Sequence, residues 1–171
     1  MEHGLFLILH AKIIKSSPEK LDVMGMYLFF ENLSFSLKGD IMTERLDLYK
    51  CNVCGNLIEV VIPGVGELVC CGEPMEYLEA KIQDSEFGEK HVPVFVATDD
   101  NGVEVRVGST LHPMTEEHYI QFIETISDGK NKLTRQYYTP QDIPIMVLKD
   151  KLGLKSAREF CNIHGLWESN Y

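Results

Sequence analysis

Val92-Pro93-Val94-Phe95-Val96-Ala97-Thr98-Asp99-Asp100-Asn101-Gly102-Val103-Glu104-Val105-Arg106-Val107 is the stretch that decides the fold. Residues 92–98 are apolar and rich in β-branched side chains, which fit a pleated surface. Asp99-Asp100-Asn101-Gly102 ends in Asn-Gly, and both of these residues tolerate the positive φ of a tight hairpin turn. Residues 103–107 alternate apolar and charged, so one face is buried and the other wet. A lone hairpin is marginal in water, so further strands are needed. Residues 118–126 alternate too, with Tyr119, Phe122 or Ile123, and Ile126 as core candidates. Ser127-Asp128-Gly129-Lys130 is a second turn, and residues 132–138 and 143–149 read as strands. Residues 113–117 are the one place where a short helical piece is expected. The expected fold class is all-β: a small metal-bound domain followed by an antiparallel, immunoglobulin-like β-sandwich.

Upstream, residues 57–62 read as a strand and Pro63-Gly64-Val65-Gly66 as a turn. About 35 residues cannot bury a sufficient core, so a metal must hold this unit together. The expected domains are residues 42–78 and 79–171. Residues 1–41 form an N-terminal extension with two open readings. One is a dispensable segment. The other is a true start at Met42, because Lys38-Gly39-Asp40-Ile41 can be encoded with a ribosome-binding sequence ahead of it.

Composition narrows the function. The net charge is -10 and 44% of residues are apolar. No basic stripe is present to neutralise phosphates, so no nucleic-acid partner is expected. The apolar runs 4–9 and 23–30 fall far short of the roughly 20 residues of a membrane helix, and Glu2 stands where a signal peptide is basic. An odd cysteine count with a Cys-x2-Cys pair argues for reduced, metal-binding thiols. Cytoplasmic localisation is expected.

The five cysteines and four of the six histidines fall into two sets. The first is Cys51-x2-Cys54-x15-Cys70-Cys71, a tetrathiolate pattern. A zinc ribbon closes with a second Cys-x2-Cys. Adjacent cysteines strain the sulfur angles and favour a distorted iron site over structural zinc. The second set is His91-x20-His112-x5-His118-x42-Cys161-x2-His164. A lone histidine is more often a packed or surface residue, but four with one cysteine suit one iron. Four neutral imidazoles and a thiolate leave iron(II) a net +1 charge and a vacant sixth position, which favours an anionic ligand. An axial thiolate pushes electron density toward that position. Lys90 adds local positive charge for a small anion, and Glu89 is a carboxylate beside the same centre. Taken alone, both would read as solvated loop residues.

Five blocks in order resemble desulfoferrodoxin, the two-iron superoxide reductase family. They are Tyr49-Lys50-Cys51-x2-Cys54-Gly55-Asn56, Glu67-Leu68-Val69-Cys70-Cys71-Gly72-x-Pro74-Met75, Glu89-Lys90-His91-Val92-Pro93, Val107-Gly108-Ser109-x2-His112-Pro113-Met114 and Cys161-Asn162-x-His164-Gly165-Leu166-Trp167. The resemblance covers residues 42–171 and implies two irons per chain. Cys51, Cys54, Cys70 and Cys71 would hold a desulforedoxin-like Fe(Cys)4 site. His91, His112, His118 and His164 would bind the second iron equatorially, with Cys161 axial. Superoxide would be reduced to peroxide there, Lys90 attracting the anion and Glu89 ligating the oxidised iron. A rubredoxin-like electron donor and a homodimer are also implied. The rivals are a non-catalytic iron electron-transfer protein and a zinc-stabilised binding module.

Overall fold

The structure, a computed structural model, describes residues 42–82 and 87–171. The expectations for residues 1–41 lie outside the described residues. Among the described residues twelve strands and one helical turn follow in order: β1 (Leu48–Lys50), β2 (Leu57–Glu59), β3 (Val69–Cys70), β4 (Glu73–Pro74), β5 (Glu76–Tyr77), α1 (Gly88–His91), β6 (Pro93–Ala97), β7 (Val103–Val107), β8 (Ile120–Ser127), β9 (Lys132–Tyr137), β10 (Ile145–Leu148), β11 (Leu154–Cys161) and β12 (Gly165–Asn170). The class is all-β, as expected.

Two antiparallel sheets form the sandwich, one in the order β10-β7-β6 and one in the order β12-β11-β8-β9. The β6–β7 hairpin pairs Ala97 with Val103 across the Asn101-Gly102 turn, and Asn101 takes φ +65°. Val105, Val107 and Met146 from the first sheet meet Ile120, Ile123, Ala157 and Cys161 from the second in one core. A register shift between Phe160 and Cys161 lets Ile120 and Ile123 share this inner face. The one cysteine of the second metal set therefore sits on the core face of a central strand.

The other face of the four-stranded sheet is also covered. Phe122, Phe160 and Leu166 pack with Leu48, flanked by Leu57, Leu78 and Ala80. β1 is the middle strand of a small sheet, β2-β1-β5, and β3 pairs with β4 beside it. Double coverage explains why β8 and β11 are buried almost throughout.

Residues 113–117 hold no helix. The helical turn is instead α1, which carries Glu89, Lys90 and His91. Gly108 lets this turn approach the end of β7. It has φ +72°, and a Cβ there would lie 2.6 Å from the Glu89 carbonyl oxygen. The backbone carbonyl of Glu89 is further held by the Thr110 N–H at 3.0 Å.

Candidate metal centres

All nine ligand-type side chains singled out above fall into two groups, and within each group one atom per residue lies within 4.8 Å of all the others. In the first group Cys51 follows β1, Cys54 lies in the next turn, and Cys70 and Cys71 close the β3–β4 hairpin. The Cys54–Cys70 and Cys70–Cys71 sulfur separations are 3.7 and 3.9 Å. A tetrahedron with edges near these values has its centre about 2.3 Å from each corner, a metal–thiolate bond length. The adjacent Cys70 and Cys71 still place their sulfurs at one of these two edges. Their adjacency is absorbed by the backbone, where Cys71 takes φ +55° and Gly72 φ +82°. Backbone N–H groups of Cys54 and Val53 help draw the Cys51 thiol down to about 7. The Cys54 and Cys70 thiols hold Cys71 up at about 12. Four thiolates this close need a cation, and the donor set fits one iron.

The second group gathers His91 at the end of α1, His112 and His118 from the β7–β8 connection, Cys161 at the end of β11, and His164 from the turn before β12. The four imidazoles form a ring in the order 91, 112, 118, 164. Neighbours stand 4.5–4.8 Å apart between centroids and nearly perpendicular, whereas His91 and His118 lie 6.3 Å apart across the ring. Three nitrogen–nitrogen sides measure 3.2, 3.0 and 3.1 Å. A square of that side has its centre about 2.2 Å from each corner, close to a metal–imidazole bond. Cys161 Sγ lies 3.6 Å from His164 Nδ1 and accepts the His164 backbone N–H at 3.4 Å.

Tautomers make the case for a metal. His91 Nδ1–H donates to the Phe87 carbonyl at 2.9 Å, and His112 Nδ1–H to the Pro113 carbonyl at 2.5 Å. A carbonyl can only accept, so both protons sit on Nδ1. The two Nε2 lone pairs therefore face each other, and a cation relieves that repulsion. Outer hydrogen bonds of this kind are what orient metal-binding histidines. The set fits iron with one position left open.

Four supporting residues were not read from the sequence as parts of the site. Asn162 brackets His118. Its Oδ1 accepts from the Tyr119 N–H at 2.9 Å, and its Nδ2 donates to the Glu117 carbonyl at 2.9 Å. Trp167 stacks on His91 at 4.8 Å, and Phe87 stacks on His164 at 5.0 Å. Glu159, two residues before Cys161 on the same strand face, is fully buried. Neither of its oxygens has a partner among the described residues, and burial holds its carboxyl well above the usual range. Only the alternation of Glu159 with Cys161 would have signalled it. Glu89 itself is exposed and Lys90 half-buried. The Lys90 charge is among the causes that depress His118, after burial and His164.

Burial is the main cause that lowers both His91 and His112 to about 4. In the unfolded chain each takes up a proton near 6.5. Glu159 acts in the opposite direction, because its buried carboxyl takes up a proton in the folded state. In metal-free protein carrying Glu159→Gln, the stability contributed by the two histidines should be whole above pH 6.5 and fall steadily toward pH 4, because at both only the unfolded state binds a proton in that window. Urea midpoints of this metal-free variant at pH 7.5 and pH 5 check this; equal midpoints would contradict it.

Comparison with known proteins finds a family match to each of the two parts that carry the cysteine and histidine groups. The family described as Desulfoferrodoxin matches residues 83–170, and the one described as Desulfoferrodoxin, N-terminal domain, matches residues 43–78. A desulfoferrodoxin of Syntrophotalea carbinolica is 49% identical over 75% of this chain and 98% of its own. A desulfoferrodoxin homolog of Archaeoglobus fulgidus is 51% identical over 75% of this chain and 99% of its own. Among solved structures, the superoxide reductase of Treponema pallidum superposes with a TM-score of 0.57 at 25% identity, covering 74% of this chain and 99% of that one. With its four-cysteine group, its ring of four histidines closed by a cysteine, and these matches along both parts, the chain belongs to the desulfoferrodoxin family.

Proposed function

We propose that the five-residue centre reduces superoxide: one superoxide, one electron and two protons give one hydrogen peroxide, with no dioxygen released. The observation that carries this reading is the four-imidazole ring with a buried cysteine against it and Lys90 next to His91 on the same helical turn. Family membership and the superoxide reductase from Treponema pallidum support it. Bound iron supplies a one-electron couple; the remaining tasks belong to the chain. His91, His112, His118, His164 and Cys161 are the ligands, each oriented by its own strand end or turn. Burial of Cys161 keeps water from the thiolate. The Lys90 ammonium attracts the anion and orders a proton-donating water. Glu89 is the carboxylate assigned to the resting oxidised centre. Cys51, Cys54, Cys70 and Cys71 hold the second iron, which stores or relays electrons from a rubredoxin-like donor. We assign residues 42–78 and 79–171 to the two domains, and read the active form as a homodimer of the cytoplasm, where the unpaired cysteines stay reduced.

Purified protein given superoxide and an artificial reductant should yield one peroxide per superoxide. Half that yield, with dioxygen released, would mean dismutation and overturn the reading. Lys90→Ala should slow superoxide capture roughly tenfold, the low end of electrostatic focusing. Salt should slow the native protein more than the variant. Glu89→Ala removes a negative charge at the same turn, so capture should not slow, while the absorption of the oxidised protein changes. Native rates in Lys90→Ala at every salt concentration would leave attraction to the metal alone.

A further inference from the structure

Lys81 stands 83 residues from His164 in the sequence and against it in space. Its ammonium donates to the His164 carbonyl at 2.7 Å. The same ammonium lies 5.3 Å from the centroid of the Trp167 ring, and that ring stacks on His91. The backbone is pinned as well. Lys81 forms a parallel bridge to Trp167, donating its N–H to the Leu166 carbonyl and accepting from the Glu168 N–H, both at 2.9 Å. One positive charge thus touches the turn that carries Cys161 and His164 and, through an indole, reaches the neighbouring ring member His91.

We propose that Lys81 is a positioning residue of the five-residue centre whose charge raises the reduction potential of the iron held there. The proposal rests on reading that centre as an iron site. A nearby cation disfavours the more positive oxidation state, so iron(II) gains relative to iron(III). The effect is moderate because Lys81 is exposed and its field is screened by water and salt. A simple clamp on the His164 carbonyl would need only a hydrogen-bond donor; a potential-setting role needs the charge.

The test is redox titration of the iron-loaded full chain, native and with Lys81→Gln, Lys81→Met and Lys81→Arg, followed by the absorption of the oxidised five-residue centre. Gln keeps a donor without charge, and Arg keeps both. In Lys81→Gln and Lys81→Met the Fe(II):Fe(III) ratio at fixed applied potential should fall about fivefold, about 40 mV for a one-electron couple. Lys81→Arg should stay near native, and high salt should narrow the gap. A native potential in Lys81→Gln with two irons bound overturns the proposal and leaves Lys81 as a clamp. If Lys81→Met fails to fold, Gln against Arg decides. Failure of the iron-site reading would show differently, as native protein lacking a second iron.

Discussion

A Cys54→Ser protein should lose one of two irons and its colour, yet still reduce superoxide when given an artificial reductant. Cys54 lies in the four-cysteine group, where three neighbouring sulfurs at metal-binding spacing share one centre. Serine is a poor ligand because its hydroxyl does not ionise as a thiol does. The small sheets around that group are thinly packed, with Val61, Ile62 and Val65 all largely exposed. The metal therefore contributes much of their order, and protease sensitivity should rise between Cys51 and Cys71. The five-residue centre hangs on other elements: α1, the β7–β8 connection and the β11–β12 turn. Its iron and its absorption should remain. Loss of all reductase activity with the second iron still bound would move catalysis away from the histidine ring. Equal rates with a protein electron donor as well would mean the first iron is not needed for electron entry.

The sandwich hairpin was legible because its physics is local. Residues 103–107 alternate in sequence and in burial, and Asn101-Gly102 supplies the backbone that the turn needs. The nine ligand-type residues were legible for a different reason: thiols and imidazoles are few, and their spacing carried the grouping. β11 was missed. Leu154-Lys155-Ser156-Ala157-Arg158-Glu159-Phe160-Cys161 looks polar, yet it is a central strand buried on both faces. Its polarity is met by a partner on another strand at Arg158 and by no described partner at Glu159, and neither fact is visible locally. The helical turn was expected at 113–117 but lies at 88–91. Thr115 and His118 exchange backbone hydrogen bonds that make a tight non-helical turn, with the Thr115 hydroxyl also accepting from His118. Asn162 and Lys81 were illegible as site residues because they act on main-chain groups that only the fold brings near.

Removing the carboxylate of Glu124 should cost about 3–5 kcal/mol of stability, the range for breaking a buried ion pair from one side. Glu124 on β8 is fully buried and stands in register between Arg135 on β9 and Arg158 on β11. Oε1 accepts from Arg158 Nε at 2.7 Å and Oε2 from Arg135 Nε at 2.6 Å. Arg135 also pairs with Glu59 on β2, and Arg158 donates to the Leu46 carbonyl at 3.0 Å. The row of charges thus ties the four-stranded sheet to the segment that carries the cysteines. In Glu124→Ala the Arg158 guanidinium, itself nearly buried, faces no carboxylate and keeps only a carbonyl. Glu124→Gln keeps the shape and should lose somewhat less. Replacing Glu59, Glu124, Arg135 and Arg158 together by Leu and Met should recover most of the loss, because no charge of the row is then left unpaired. Denaturant unfolding of fully metal-loaded proteins measures all three. A loss under about 1 kcal/mol in Glu124→Ala, the scale of an exposed pair, would mean water reaches the row. The cysteine-bearing segment would then be held to the sheet by Leu48, Leu57 and Leu78 against Phe122, Phe160 and Leu166 alone.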